Sequence, residues 1–249
     1  MAEMVRTRLD RVVVERGLAA TRSRARDLIL RGCVIVDGVV SNKPGQEINK
    51  DVVVGVAPEC TDYVSRGAVK LAAALEHFGF EAKDRVALDV GASTGGFTQV
   101  LLQAAATRVY AVDVGRGQLD PRIAADDRVV SLEATDARSL TRELVPEPVD
   151  IVVADVSFIS LTKALSVPLA LARPGAWLVA LVKPQFEAGR QAVGKGGVVR
   201  DAADRERSVE TVSAWIASQP GWTVTGVIDS PLVGGSGNQE FLLGAVHRD

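Results

Sequence analysis

Ionisable residues stand at the ends of short apolar runs in the middle of this 249-residue chain. In an open sheet of alternating strands and helices, that end of each strand is where ligands bind. Asp113 closes one run, 22 residues after Gly91, and a carboxylate there can accept both hydroxyls of an adenosine ribose while repelling a 2′-phosphate. Asp136 follows the next run and is placed to reach an adenine amino group. Asp155 ends another run, in Ala-Asp-Val-Ser-Phe-Ile, and Lys183 the one after, in Leu-Val-Lys-Pro-Gln-Phe-Glu. A lysine directly after an apolar strand is costly to bury without a partner. Asp155, on a neighbouring strand, is the candidate partner. A buried ion pair with no chemistry is the alternative.

Ahead of these acids lies Asp89-Val90-Gly91-Ala92-Ser93-Thr94-Gly95-Gly96-Phe97-Thr98. An apolar run enters it and an apolar helical pattern leaves it through Val100, Leu101 and Leu102. Strand, glycine turn and helix together bring backbone N–H groups against a nucleotide-like ligand. Glycines suit such a turn because a Cβ would hold the ligand away and some positions need positive φ. The spacing is Gly-x-x-x-Gly-Gly, not that of dinucleotide enzymes, and no phosphate-gripping Gly-Lys-Ser/Thr follows. Gly91, Ser93, Thr94, Gly95, Gly96 and Phe97, with Asp113 and Asp136, are the candidate cofactor-binding residues.

The elements that must position these groups are legible in outline. Strands are expected near 85–90, 108–113, 128–131, 149–154 and 176–182, with helical patterns between them, which is βαβ repetition and a mostly parallel sheet. Two more, about 222–228 and 239–246, are joined by the Gly-rich segment 231–237 and should pair antiparallel. The class is α/β, a Rossmann-like seven-stranded sheet with one antiparallel strand, preceded by a small α+β domain. Residues 1–58 form that small domain, 59–65 a linker and 66–249 the large domain. The longest apolar tract, Ala164–Val182, is interrupted by Pro168 and Arg173-Pro174-Gly175. It reads as a helix through about Ala172, a turn and a buried strand, not as a membrane span of ~20 residues. A soluble, cytoplasmic protein is expected, monomeric when free and without stable membrane association.

The net charge of −2 hides an asymmetry: residues 1–58 hold ten Lys/Arg against seven Asp/Glu. A basic end on a mildly acidic body suggests an anionic partner. Two cysteines, Cys33 and Cys60, make neither a disulfide framework nor a zinc site, and each is read as incidental. Two histidines leave little for a metal, and none is expected. Residues 8–31 read as two short helices, the second running from Arg22 to Leu30 with Thr21 as its N-cap. A hairpin turned by Asp37-Gly38 follows, then a strand from Ile48 to Val54. No Phe, Tyr or Trp precedes Tyr63. Base stacking, the usual means of holding single strands, is therefore closed to this module. Arg6, Arg8, Arg22, Arg24, Arg26, Arg31 and Lys43 would instead grip phosphates and the shape of folded RNA.

Arg8-Leu9-Asp10, Gly17-Leu18, Ser23-Arg24, Leu28-Ile29, Gly32, Asp37-Gly38 and Lys43 resemble the RNA-binding module of ribosomal protein S4 across roughly residues 6–56. The whole chain resembles the FtsJ-like ribose methyltransferases fused to that module, the haemolysin-named TlyA family. The resemblance is carried by Ser65-Arg66-Gly67-Ala68-Val69-Lys70-Leu71, the glycine turn, Ala154–Ser160, Val182–Glu187 and Gly237-Asn238-Gln239-Glu240-Phe241. It implies S-adenosylmethionine as cofactor, cytidine 2′-O-methylation of ribosomal RNA in assembled subunits, and a catalytic tetrad mapping to Lys70, Asp155, Lys183 and Glu240. On pattern alone Lys70 would pass for a surface lysine of the helix 66–78. Thr61 and Tyr63 depart from the Arg and Trp of the family linker. Asp155 and Glu240 would favour a charged Lys183 that stabilises a developing alkoxide over a neutral general base. Two other classes stay open: a non-catalytic ribosome-assembly factor and a membrane-damaging protein. The stretch Gly194-Lys195-Gly196-Gly197 reads equally as a mobile substrate loop or a disordered connection.

Overall fold

In the computed structural model, which describes residues 6–19, 21–49, 51–57, 63–234 and 237–248, the chain divides into two units, Met1–Arg66 and Gly67–Asp249. In the smaller unit, strand β1 (Arg6–Arg8) leads into helices α1 (Leu9–Glu15) and α2 (Arg22–Leu30). Leu9, Val12 and Val13 of α1 and Ala25, Leu28 and Ile29 of α2 are buried in one cluster, as their helical spacing predicts. The Thr21 hydroxyl accepts from the Arg24 N–H at 3.2 Å and caps α2. Strands β2 (Val34–Val36) and β3 (Val39–Ser41) form the expected hairpin. Both Asp37 and Gly38 have positive φ, 48° and 81°, the geometry of a two-residue turn matched to strand twist.

The expected strand Ile48–Val54 is two strands in different sheets. Strand β4 (Glu47–Asn49) pairs with β1, and β5 (Val54–Val56) pairs with β2. The chain turns between them because the Val52 N–H reaches back to the Asn49 carbonyl and the Val53 N–H donates to Asp37 Oδ1 at 2.8 Å. Cys33, expected to be incidental, is buried and disulfide-bonded, while Cys60 lies outside the described residues.

The larger unit opens with helix α3 (Arg66–Phe78) and then alternates: β6 (Val86–Val90), α4 (Gly96–Gln103), β7 (Arg108–Asp113), α5 (Pro121–Ala124), β8 (Val129–Glu133) and β9 (Val149–Ala154). Helices α6 (Leu161–Ala164) and α7 (Ser166–Leu171) lead to β10 (Ala172–Val182). Helices α8 (Pro184–Glu187) and α9 (Ala202–Ala217) precede β11 (Trp222–Asp229) and β12 (Phe241–His247). The sheet order is β11-β12-β10-β9-β6-β7-β8. Only β12 runs against its neighbours among these strands, inserted between β10 and β11. Extended chain begins at Ala172, but pairing with β9 becomes regular only from Trp177, past the Arg-Pro-Gly break.

Strands β9 and β10 are buried on both faces over 149–154 and 176–182, which explains their unbroken apolar sequence. At the far end of α3, the Phe78 ring lies where strand glycines leave room. A Cβ on Gly244 would stand 2.9 Å from that ring, and one on Gly226 would touch it at 3.5 Å. Phe78 stacks on Phe80 and Phe80 on Trp177, with centroids 5.5 and 5.0 Å apart. Among the described residues, no helix is long and apolar enough to cross a membrane.

Candidate functional site

The glycine turn leaves β6 at its C-terminal end and enters α4. Gly91 has φ +83°, and a Cβ there would lie 2.8 Å from the Asp155 carbonyl oxygen, so the turn fits against β9 only with glycine. Gly95 caps α4 at φ 89°, and a Cβ on it would meet Leu119 at 2.8 Å. Asp113 ends β7, where its Oδ2 accepts from the Ser93 N–H at 2.9 Å and its Oδ1 from the Gly115 N–H at 2.7 Å. The acid thus ties the turn to the loop after β7. A cavity of about 410 Å³ lies here, lined among others by Gly91, Ser93, Asp113, Gln118, Asp136 and Asp155.

Four of the expected cofactor residues stand apart from that lining. Thr94, Gly95 and Gly96 build the turn, and Phe97 is buried in the core. Asp136 lines the cavity, but its carboxylate caps a short 3-10 turn and pairs with Arg138, Nη2 to Oδ2 2.6 Å. Those hydrogen bonds from Arg138 hold its carboxyl below its ordinary value.

Beneath the turn, Asp89 is fully buried. Its Oδ2 accepts from the Thr98 hydroxyl at 2.6 Å, and its Oδ1 has no hydrogen-bond partner among the described residues. Burial pushes this carboxyl up to about 7, with Asp155 and Asp113 adding to the shift and Thr98 opposing it.

Two ion pairs stand out in the same unit. Lys183, at the end of β10, lies 2.6 Å from Asp155 Oδ1, just past the end of β9, and its Nζ also donates to Ser157 Oγ at 2.9 Å. Parallel pairing of β9 with β10 brings these positions together. Lys70, which pattern alone left on the surface, is 6% exposed and its Nζ lies 2.5 Å from Glu240 Oε2. It sits on the inner face of α3, next to buried Leu71 and one turn from buried Ala74. Glu240 is 3% exposed. Gly234 leaves space for its carboxylate, since a Cβ at that position would come within 2.4 Å of Oε1. The four expected catalytic residues are therefore found as two short ammonium–carboxylate pairs, Lys70–Glu240 buried on both sides and Lys183–Asp155 with a partly exposed carboxylate.

Sequence reasoning missed several neighbours. Ser157 gives Lys183 a second partner beside Asp155. Glu133, ending β8, accepts from the N–H groups of Gly117, Gln118 and Leu119 and fixes the loop after β7. Glu187 accepts from Ser160 Oγ at 2.6 Å and Leu161 N at 2.8 Å, capping α6. Phe158 is 92% exposed with φ 66°, a backbone conformation that costs a side chain-bearing residue ~1–2 kcal/mol. Its ring lies 5.2 Å from that of Phe186 and lines both the first cavity and a second one of about 650 Å³. Its exposure and left-handed backbone are visible only in the fold, so the sequence held no signal for it.

In the smaller unit the arginines divide into two groups. Asp10 is fully buried and accepts from Arg8 and Arg22, Nε to carboxylate 3.1 Å in each case. Burial works against its charge, but the two guanidinium groups outweigh it and hold the carboxyl below its ordinary value. Arg8 and Arg22 keep about half of their side-chain surface exposed. Arg24 and Arg31, expected to face RNA, turn inward instead. Arg24 donates to the carbonyls of Tyr63 and Val64, and the Arg31 side chain is 3% exposed beside Asp27. The partly exposed carboxylate of Asp27 and these backbone carbonyls capture both guanidinium groups. Arg6, Arg26 and Lys43 carry exposed side chains. Thr61 lies outside the described residues.

Residues 63–246 match the FtsJ-like methyltransferase family and residues 7–54 the S4 domain family. The chain is 48% identical over 239 residues to the 16S/23S rRNA (cytidine-2′-O)-methyltransferase TlyA of Mycobacterium tuberculosis, covering 96% of this chain and 89% of that one. It is 39% identical to Hemolysin A of Brachyspira hyodysenteriae, covering 94% and 98%. A solved structure from Streptococcus thermophilus, described as a hemolysin, superposes with a TM-score of 0.76 at 40% identity, covering 99% of this chain and 90% of that one. With the glycine turn, the strand-end acids and both lysines in place, the chain belongs to the TlyA family of FtsJ-like methyltransferases that carry an S4 domain.

Proposed function

We propose that this chain uses S-adenosylmethionine to methylate the ribose 2′-hydroxyl of cytidine in ribosomal RNA, with assembled subunits as substrate. It would act in the cytoplasm as a monomer when free. The observation that carries this reading is the Lys183–Asp155 pair at the strand ends, with Asp155 bordering the cavity beside the glycine turn. The cavity's size falls within the range of small-molecule sites, ~300–1,000 Å³. Its walls suit the cofactor: a turn that Gly91 lets run close to the ligand, and carboxylates at Asp113 and Asp155 to face hydroxyl and cationic groups. S-adenosylmethionine brings an already activated methyl group, so the protein's task is to place the acceptor oxygen in line and manage its proton.

Lys183 is assigned to the ribose oxygen. Held by Asp155 and Ser157, its ammonium would stabilise the alkoxide as the hydroxyl proton leaves, an electrostatic contribution that grows only as charge develops. Lys70, fixed by Glu240, would hold the substrate strand. Correct placement of this kind can supply up to ~7–11 kcal/mol of the barrier reduction. Phe158 offers an exposed face on which an unstacked pyrimidine can rest, the usual way of holding a base taken out of its stack. In the smaller unit, Arg8 and Arg22 are pre-ordered by Asp10 and suit phosphates of folded RNA, with Arg6, Arg26 and Lys43 beside them in sequence.

Incubation of the purified protein with labelled S-adenosylmethionine and unmodified ribosomal subunits, followed by mapping of the product, tests the reading. A 2′-O-methylcytidine is expected. Label on a base, or none on either subunit, would overturn it.

A further inference from the structure

The Gly194–Gly197 segment is neither loose nor remote from the expected tetrad. The Gly194 N–H donates to the Val198 carbonyl and the Gly197 N–H to the Gly194 carbonyl, each at 3.0 Å. Gly196 and Gly197 both hold positive φ, +84° and +77°, so the turn closes as tightly as it does because neither carries a Cβ. One side chain clamps it. Asn238, 1% exposed, accepts from the Val199 N–H through Oδ1 at 2.9 Å and donates through Nδ2 to the Gly197 carbonyl at 2.8 Å. Both halves of a buried amide are thus spent on the backbone of one turn.

Asn238 is also built into the support of Glu240. Its carbonyl accepts from the Gly234 N–H at 2.8 Å, and Gly234 is the residue whose missing Cβ makes room for the Glu240 carboxylate. The Glu240 carbonyl in turn accepts from the Ser230 N–H at 2.9 Å. The connection runs from Lys70 through Glu240 and Gly234 to Asn238, and from there to the turn. At the tip of the turn, Gly194, Lys195, Gly196 and Gly197 are all exposed. That leaves one ammonium among glycines that let a polyanion approach the backbone.

We infer that Asn238 is a positioning residue for methyl transfer: it locks the Gly194–Gly197 turn to Glu240, and the turn places Lys195 against a phosphate of the RNA strand being modified. This rests on the assignment of RNA as substrate and adds a specific contact and its mechanical link to the Lys70–Glu240 pair. Both the phosphate contact of the turn and the geometry of that pair then depend on Asn238.

Three variants of the full-length protein test the inference, assayed below their measured melting temperatures on unmodified subunits. Lys195→Ala should raise KM for the subunit ~3–10-fold with kcat within about twofold. The slope of log affinity against log salt should fall by ~0.7–0.9, the amount one phosphate contact contributes. Lys195→Arg should restore both. Asn238→Ala should lower kcat ~10–100-fold, the scale of a misplacement of about 1 Å, while leaving cofactor affinity unchanged. Asn238→Asp, which keeps the acceptor half, should fall between. Unchanged KM and salt slope in Lys195→Ala, or normal kcat in folded Asn238→Ala, would overturn the inference; the lysine variant decides alone should Asn238→Ala fail to fold. Methyl transfer by the unaltered protein in the same assay separates this outcome from failure of the RNA reading itself.

Discussion

Removing one member of the Lys70–Glu240 pair should be far more damaging to the fold than removing both. Lys70 and Glu240 are 6% and 3% exposed and 2.5 Å apart, so either single replacement strands an ionised group away from water. Breaking a buried pair this way costs ~3–5 kcal/mol, whereas replacing both partners by apolar residues of similar volume is often neutral or stabilising. For a unit of this size ~1 kcal/mol moves the melting temperature by ~2–4 °C, so Lys70→Met and Glu240→Met should each melt roughly 6–20 °C below the parent. The double variant should melt close to the parent. Methyl transfer should be lost in all three, separating stability from activity. Thermal and urea unfolding of the four proteins, run beside the transfer assay, gives the coupling energy. If the double variant loses the sum of the singles, the pair is not coupled as described. A Glu240→Met enzyme with normal turnover would remove the pair from the catalytic machinery.

Three further outcomes follow from the same structure. Gly91→Ala combines a left-handed φ of +83° with a Cβ 2.8 Å from the Asp155 carbonyl oxygen; left-handed strain and overpacking each cost ~1–3 kcal/mol. It should reduce cofactor affinity at least tenfold by calorimetry, and unchanged affinity would show that the turn does not cradle the cofactor. The Asp89 carboxyl, pushed up to about 7 by burial, binds a proton in the folded protein that the unfolded chain has already released above about pH 4. Stability should therefore decline as pH rises from ~4 to ~7, by at most ~1.4 kcal/mol per pH unit. Asp89→Asn should flatten that decline in melting temperature, and parallel curves for the two proteins would refute the assignment. Arg22→Ala should weaken subunit binding and lower its salt slope by ~0.7–0.9 with cofactor affinity intact; an unaltered slope would show that Arg22 meets no phosphate.

The sheet was readable because doubly buried strands leave continuous apolar runs, and 149–154 and 176–182 are such runs. The Lys183–Asp155 pair could be anticipated from strand adjacency alone. Lys70 could not, because a helix of alternating small and apolar residues gives no sign of which polar side chain faces inward, and its partner lies 170 residues away. The break between β4 and β5 was hidden by a run of valines that satisfies any strand pattern, while the decisive bond came from Asp37. Arg24 and Arg31 looked like RNA contacts because charge patterning does not register backbone carbonyls as competitors. Asn238 stands in a recognisable motif without an evident role, since a buried amide spanning a turn 39 and 41 residues earlier leaves no local trace.

The slot formed by Gly226 and Gly244 around Phe78 makes α3 a lever. Lys70 lies eight residues from that pivot, about 12 Å along the axis at ~1.5 Å per residue. A tilt of roughly 5° at Phe78 then carries Lys70 by about 1 Å, a displacement on the scale that can cost ~100-fold in rate. Two strand glycines on β11 and β12, distant in sequence from Lys70, thereby set the working height of an ammonium group. Filling the slot by a single methyl at Gly244 is a way to detune turnover in graded steps without touching any group that meets the substrate.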